Sequence, residues 1–155
     1  MRPEDPLTLE DLLDRAAIND VLDDYAHAVD ERDWERLRSL FTPDATLDYT
    51  AAGGPRGTRD EVVDWIAAAL PAVALTQHLL TNRRIRTDGD TATARCELLN
   101  PLLLDGDAGA QLLLLGGRYD DRLQRHGDSW LFTERVHTTT WTAGPTPARL
   151  STPEA

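Results

Sequence analysis

The sequence predicts an α+β domain in which three N-terminal helices pack on a mostly antiparallel sheet. Two observations carry this prediction. Over most of the first 70 or so residues, apolar side chains recur at spacings of three and four, which is typical of amphipathic helices. From about residue 75 onward, long strand-like segments are separated by short turns rich in Asp and Gly. Helices that come before a run of hairpins favour a sheet with its helices on one face.

The first helix begins after Thr8, a favourable N-cap residue, and runs to about Val29. Tyr25 lies on its apolar stripe, so we expect the tyrosine ring to point toward the sheet. A short second helix follows, and Asp33 can cap its N-terminus.

A strand at 42–50 and a third helix at 58–70 complete the N-terminal half of the chain. Thr58 and Glu61 have the spacing of a capping box, in which each side chain satisfies the backbone N–H of the other. The Gly-rich segment between the strand and the helix, AAGGPRG, is expected to be a loop.

Four long strands follow, at 75–87, 91–104, 110–125 and 129–141. The turns DGD, DGDAG and HGD separate them, so they form consecutive antiparallel hairpins. The segment QLLLLGG at 111–117 is apolar on both faces, which indicates a strand that is covered on two sides. One face of this strand would line a pocket and pack against the helices, and the other face would pack against a neighbouring subunit. We therefore expect a homodimer or homotrimer.

The chain has 155 residues, which fits a single domain. We predict a flexible arm at 1–8, one folded domain at 9–142 and a disordered tail at 143–155. The tail prediction depends on three prolines within the last twelve residues.

Composition narrows the classes of function. A net charge of −11 argues against nucleic-acid binding, which relies on a positive surface. There is no apolar run of about 18 residues, so no membrane span is predicted. The acidic N-terminus without an apolar signal segment favours a cytoplasmic protein.

Motifs for cofactors and nucleophiles are also missing. All sixteen basic residues are arginine, which excludes Schiff-base lysine chemistry and a lysine-containing phosphate loop. The single cysteine, Cys96, excludes an internal disulfide and a cysteine-based zinc cluster. Neither G-x-S-x-G nor G-x-G-x-x-G occurs, and His27, His126 and His137 are scattered without metal-ligand spacing. We therefore predict no metal, no cofactor and, if there is chemistry, acid–base chemistry by side chains.

Three segments resemble one known family. They are INDVLDDYAHAVDERDWERLRSLFTPDATLDY, HLLTNRRIRTDGDTATARCEL and GGRYDDRLQRHGDSWLFTER. Together they are similar to the nuclear transport factor 2-like superfamily and, within it, to the SnoaL-like branch, which includes scytalone dehydratase, bile acid dehydratases and polyketide cyclases. The resemblance implies a cone-shaped fold, with a strongly curved, mostly antiparallel sheet that encloses a pocket.

Tyr25, Asp30 and His78 are the predicted catalytic residues. Each also has an ordinary interpretation: a core tyrosine, a solvated carboxylate in the turn DERD and a packed strand histidine among leucines. The resemblance implies that the tyrosine acts on a substrate oxygen and that the aspartate pairs with the histidine. Such a pair fixes the histidine tautomer and raises its basicity, which suits proton transfer.

Tyr49, Asn100, Tyr119 and Arg135 are the predicted substrate contacts. A register change of one residue would exchange Tyr49 with its neighbour Asp48. Two pocket tyrosines favour a dehydratase, whereas an inward aspartate favours an isomerase. Asn100 departs from the aspartate that the resemblance to bile acid dehydratases implies, and Arg135 enters the pocket only if a β-bulge precedes it.

The preferred function is a cofactor-independent dehydratase that acts on a small apolar or cyclic carbonyl compound, polyketide- or steroid-like, that carries a hydroxyl group. The alternatives are a polyketide cyclase, a ketosteroid-type isomerase and a non-catalytic module that binds small molecules on the same fold. Convergence of Tyr25, Asp30 and His78 on one pocket would favour an enzyme, and their divergence would favour the binding module.

Overall fold

The computed structural model describes residues 7–105 and 109–145. Within these residues the helices are α1 (Leu9–Asp30), α2 (Trp34–Ser39) and α3 (Arg59–Ala69). The strands are β1 (Phe41–Asp48), β2 (Arg56–Thr58), β3 (Val73–Thr76), β4 (Leu79–Asp88), β5 (Thr91–Leu104), β6 (Gln111–His126) and β7 (Ser129–Ala143). The predicted α+β fold, with helices packed on a curved and mostly antiparallel sheet, is confirmed. Residues 1–6 of the predicted arm and 146–155 of the predicted tail lie outside the described residues.

The helices begin where their caps predict. Thr8 Oγ1 accepts the Asp11 N–H at 3.1 Å, and the Asp11 carboxylate accepts the Thr8 N–H at 2.8 Å. Thr58 and Glu61 form the same reciprocal capping box at α3, and Asp33 caps α2. Because these hydrogen bonds are local, the sequence alone is sufficient to predict them.

The sheet has the order β2-β1-β7-β6-β5-β3, and β4 also pairs with β5. All neighbouring strands are antiparallel except β1 and β7, which are parallel. Two strands share one edge of β5: β4 pairs with its N-terminal part and β3 with its C-terminal end. The sheet is curved and does not close on itself, and the helices lie against its concave face.

The predicted strand 75–87 is wrong in one respect, because the structure divides it into β3 and β4. The interruption lies at Gln77 and His78, opposite Asn100 and Pro101 of β5. Pro101 has no N–H to donate to the ladder, and the His78 N–H donates to Asp30 at 2.8 Å. His78 therefore sits in the gap of an edge strand, where a helix carboxylate holds its backbone.

The loop predicted around AAGGPRG also contains a short strand, β2, which pairs with β1. Three residues are too few for an alternating pattern to be visible in the sequence. The strand matters for the fold because it leads directly into α3, which covers one side of the cavity.

Several large apolar side chains are exposed on the single chain. Leu99 and Leu112 point away from the core on β5 and β6 and are 37% and 53% exposed, and Trp141 of β7 is 48% exposed. Assembly into a dimer or trimer through this face stays a prediction. No helix within the described part of the chain is long and apolar enough to cross a membrane.

Candidate active site

A cavity of about 100 Å³ lies between the helices and the concave face of the sheet. Most of its wall is apolar and comes from α1, α3, β5 and the segment before β3. The polar side chains that line it are Tyr25, Tyr49, Thr76, His78, Asn100, Tyr119 and His137. A mostly apolar cavity with a few convergent polar groups is the usual form of a small-molecule site.

Two tyrosines meet in this cavity. Tyr25 comes from α1 and Tyr49 follows β1, and their hydroxyl groups are hydrogen-bonded to each other. Tyr49 is buried, while Asp48 turns away and accepts hydrogen bonds from the backbone N–H and hydroxyl of Thr50 at 3.0 and 2.7 Å. Tyr49 rather than Asp48 therefore faces the cavity. The alternation of buried Ala45, Leu47 and Tyr49 along this strand explains the orientation.

Asp30 holds His78 at two points. One carboxylate oxygen accepts the His78 backbone N–H at 2.8 Å, and the other lies 2.6 Å from Nδ1 of the ring. The side chains of His78 and Asp30 are 7% and 22% exposed, so the pair borders the cavity without being sealed. The carboxylate favours a proton on Nδ1, which leaves Nε2 as the nitrogen available to a ligand.

Asn100 lies beside Nε2 of His78, with 3.4 Å between the amide group and the ring nitrogen. The amide makes the most hydrogen bonds when its nitrogen donates to Thr76 Oγ1, the Gln77 carbonyl and the Pro101 carbonyl at 2.9, 3.0 and 3.3 Å. In that orientation the amide oxygen faces Nε2. It can then accept a hydrogen bond when that nitrogen carries a proton.

Tyr119 lines the cavity, but Arg135 does not. The Arg135 side chain is completely buried and donates two hydrogen bonds to Asp121, at 2.7 and 2.8 Å. Its guanidinium carbon lies 3.8 Å from the ring centre of Tyr25, 4.2 Å from that of Tyr119 and 4.3 Å from that of Phe132. The predicted substrate contact by Arg135 is therefore corrected: the arginine supports the tyrosine rings from behind.

A β-bulge turns Arg135 inward. Arg122 of β6 pairs with Glu134, whereas its neighbour Leu123 pairs with Phe132, so Thr133 is an extra residue on β7. The bulge moves Arg135 onto the face that already carries Phe132. The sequence analysis expected Arg135 to point inward only if a β-bulge preceded it, and that bulge is present. The partner of the arginine is an aspartate rather than a substrate.

The tyrosines are hydrogen-bond donors at neutral pH. Burial raises the pKa of Tyr49 and of Tyr119 well above the ordinary value, and the neighbouring Tyr25 acts in the same direction. Both side chains therefore keep their protons. A protonated phenol in an apolar wall can donate to an oxygen that gains negative charge.

His137 is a titratable cavity residue that sequence reasoning missed. Its ring stacks on Tyr49, with 5.5 Å between ring centres and 15° between planes, and lies 5.4 Å from Tyr119. Burial, with smaller contributions from the nearby His78 and Arg135, lowers its pKa to about 4. Strand alternation would have indicated His137 once the bulge was known, because it lies two residues beyond Arg135 on the same face.

Cys96 is buried among the core residues, and burial raises the pKa of its thiol to about 11, so it is not an activated nucleophile. Within residues 7–105 and 109–145, no three His, Cys, Asp or Glu side chains are grouped so that they could hold a metal ion. The groups able to move protons at this cavity are therefore the tyrosines, the histidines and Asp30.

Comparison with known proteins gives the family. The model of the SnoaL-like domain matches residues 10–136. An uncharacterized protein of Mycobacterium tuberculosis, Rv2910c, is 38% identical over 132 residues, which cover 85% of this chain and 89% of that protein. Scytalone dehydratase arp1 of Aspergillus fumigatus is 47% identical over 47 residues, which cover 30% of this chain and 27% of that protein.

Among solved structures, a hexachlorocyclohexane dehydrochlorinase, LinA type 2, is similar to this chain with a TM-score of 0.77 and 26% identity. The alignment covers 89% of this chain and 93% of that one. Together these similarities support a family of lyases and isomerases that work without a cofactor. Since the family model spans most of the folded chain, the protein belongs to the SnoaL-like family of the nuclear transport factor 2-like superfamily.

Proposed function

We propose that the protein is a dehydratase, which removes water from a carbonyl compound with a hydroxyl group on its β carbon. The observation that carries the proposal is that Tyr25 and His78 line one cavity and that Asp30 holds the His78 ring. Asp30 and His78 are 48 residues apart in the chain, and they are in direct contact. A merely solvated carboxylate would make no such contact.

The tyrosine pair would bind the carbonyl. The hydroxyls of Tyr25 and Tyr49 share one hydrogen bond, so one phenolic proton remains free to donate to the substrate oxygen. The negative charge that develops on this oxygen as the enolate forms strengthens that hydrogen bond. An interaction that is stronger in the transition state than in the ground state accelerates the reaction.

His78 would move the proton. Its Nε2 takes the proton from the α carbon while Asp30 stabilises the imidazolium through Nδ1. The Asn100 amide oxygen, which faces Nε2, can hold the protonated ring in place. The same proton then passes to the β-hydroxyl, the carbon–oxygen bond breaks and water leaves, and a double bond remains between the α and β carbons. The elimination of water needs no oxidant or reductant.

The alternatives have less support at this cavity. A ketosteroid-type isomerase was expected to use an inward Asp48, and that carboxylate is engaged with Thr50 instead. A binding module would not need the Asp30–His78 pair. A polyketide cyclase would use the same tyrosine and histidine on a different substrate, so screening of substrates separates it from a dehydratase.

Turnover by His78→Ala is the direct test. Small β-hydroxyketones are screened for water loss, followed by the ultraviolet absorbance of the conjugated product. Removal of the base should lower turnover on the best substrate by roughly 100- to 10,000-fold, the usual contribution of general acid–base catalysis. The matched control is His126→Ala, which removes an exposed histidine at the β6–β7 turn and should leave turnover unchanged. Near-normal turnover by His78→Ala, with the fold intact, would contradict the proposal.

A further inference from the structure

The size of the cavity limits the substrate. Its volume is about 100 Å³. For comparison, an apolar cavity of about 150 Å³ in another protein accommodates one benzene molecule. The enclosed part of the site thus has room for roughly one ring. This narrows the range of carbonyl compounds considered under the proposed function.

Each tyrosine of the pair has an imidazole beside it. His78 lies beside Tyr25, with 6.3 Å between ring centres, and His137 stacks on Tyr49. Each imidazole thus contacts a different member of the tyrosine pair, whose hydroxyls are bonded to each other. A ligand whose carbonyl meets the tyrosines can therefore reach one histidine with its reacting carbon and the other with a part that does not react.

His137 differs from His78 in its surroundings. Its ring is 4% exposed, and its Nδ1 is buried without a hydrogen-bond partner among the described residues. Burial keeps the pKa of the ring near 4, so at neutral pH the imidazole has one N–H and one lone pair. A buried N–H without a partner is rarer than a buried acceptor without one. The proton is therefore favoured on Nε2, which makes that nitrogen a donor.

Among the described residues that line the cavity, no arginine accompanies this donor. The Arg135 guanidinium lies behind the aromatic rings and is neutralised by Asp121. The His137 end of the cavity thus offers a neutral hydrogen-bond donor in apolar surroundings. A ketone, ether or hydroxyl oxygen can bind there, whereas a carboxylate would lose its hydration without gaining a counter-charge.

From this geometry we infer that the substrate is a single-ring compound with an additional, uncharged oxygen that does not react and that His137 binds through Nε2. The inference rests on the proposed function, because it takes the carbonyl to lie at the tyrosine pair and the reacting carbon at His78. It assigns His137 the role of a substrate-binding residue that sets which rings the enzyme accepts.

Binding of simple probes tests this without turnover. The probes are phenol, resorcinol, which adds a second hydroxyl, and 3-hydroxybenzoate, which adds a carboxylate, and titration calorimetry measures their affinities. Wild-type protein should bind resorcinol roughly 2- to 10-fold more tightly than phenol, the usual worth of one hydrogen bond. It should bind 3-hydroxybenzoate more weakly than resorcinol. In His137→Phe the resorcinol advantage should disappear while phenol affinity stays within about twofold.

The control variant is His27→Phe, which changes an exposed histidine on α1 and should keep the resorcinol advantage. Should His137→Phe fail to fold, ¹⁵N spectra of the wild-type imidazoles replace it. Resorcinol should then shift the Nε2 signal of His137 more than phenol does. Four results would each overturn the inference. The wild type could bind phenol and resorcinol equally tightly, or His137→Phe could keep the tighter binding of resorcinol. The Nε2 signal of His137 could stay unmoved, or a steroid ketone could bind tightly. Failure of the proposed function would appear instead as undiminished turnover in His78→Ala.

Discussion

Two aspartates in this molecule each hold a basic side chain at two points, and they do so in very different surroundings. Asp30 accepts hydrogen bonds from the backbone and ring of His78 at the edge of the cavity. Asp121 accepts two hydrogen bonds from Arg135 beneath the aromatic rings. The first pair is partly exposed, at 22% and 7%, whereas neither side chain of the second is exposed at all.

The difference in exposure between the two pairs indicates which of them can exchange a proton with a ligand. A guanidinium does not deprotonate in proteins, and this one is enclosed by Tyr25, Tyr119 and Phe132. Burial raises the pKa of the Asp121 carboxyl, and Arg135 opposes this shift. The Asp121–Arg135 pair thus supports the rings, while the pair at the cavity edge contains the group that can gain and lose a proton.

The largest expected effect comes from breaking the buried pair. Arg135→Met leaves the Asp121 carboxylate without its partner in the core, which should cost about 3–5 kcal/mol of unfolding free energy. Urea unfolding followed by circular dichroism measures it. The double variant Arg135→Met with Asp121→Leu should recover much of the loss, because no uncompensated charge remains.

His78→Ala is the matched comparison for this variant, since it removes the basic member of the other pair. It should destabilise the fold less than Arg135→Met does, because its partner Asp30 can be solvated at the cavity edge. If Arg135→Met and His78→Ala lowered the free energy of unfolding equally, the buried Asp121–Arg135 pair would not differ energetically from the partly exposed Asp30–His78 pair.

A second effect concerns His137, which lies near the basic members of both pairs. Its pKa is lowered to about 4 from 6.5, with burial as the main cause. The unfolded chain therefore binds this proton more readily than the folded protein between about pH 6.5 and 4. Stability should fall as the pH falls through that window, by up to about 3 kcal/mol from this group.

Subtraction of two pH series isolates this contribution. Urea unfolding of wild type and His137→Phe is compared from about pH 7 to pH 4, so that the effects common to both proteins cancel. The wild type should lose more stability than the variant as the pH falls. Parallel curves would mean that the fold accommodates a charged His137 and that the imidazole is less isolated than its unpartnered Nδ1 indicates.

The smallest expected effect comes from Asp30→Asn, measured as turnover under the assay for His78→Ala. The amide can still accept one hydrogen bond from His78 but no longer stabilises the imidazolium by charge. Turnover should fall by about 10- to 100-fold, less than for loss of the histidine itself. Stability should change little because the carboxylate is partly exposed. A larger loss than that of His78→Ala would mean that Asp30, and not His78, takes the proton.

Local patterns in the sequence predicted the helix starts and the sequence of hairpins, whereas the choice between Tyr49 and Asp48 stayed open until the structure placed Tyr49 in the cavity wall. Thr8, Thr58 and Asp33 cap helices through contacts within four residues of themselves, so no tertiary information is needed. The family could also be predicted, because its characteristic segments extend over most of the folded chain and residues 10–136 match its model.

The sequence by itself thus determined the fold class and the helix caps, and it indicated part of the set of polar side chains that line the cavity. Only the tertiary structure decided that the strand containing His78 is interrupted, that a bulge at Thr133 turns Arg135 toward Asp121, and that His137 joins the cavity wall. The reason is physical. An interruption or bulge depends on hydrogen bonds to a neighbouring strand or helix, and one extra residue moves every later side chain to the other face of the sheet.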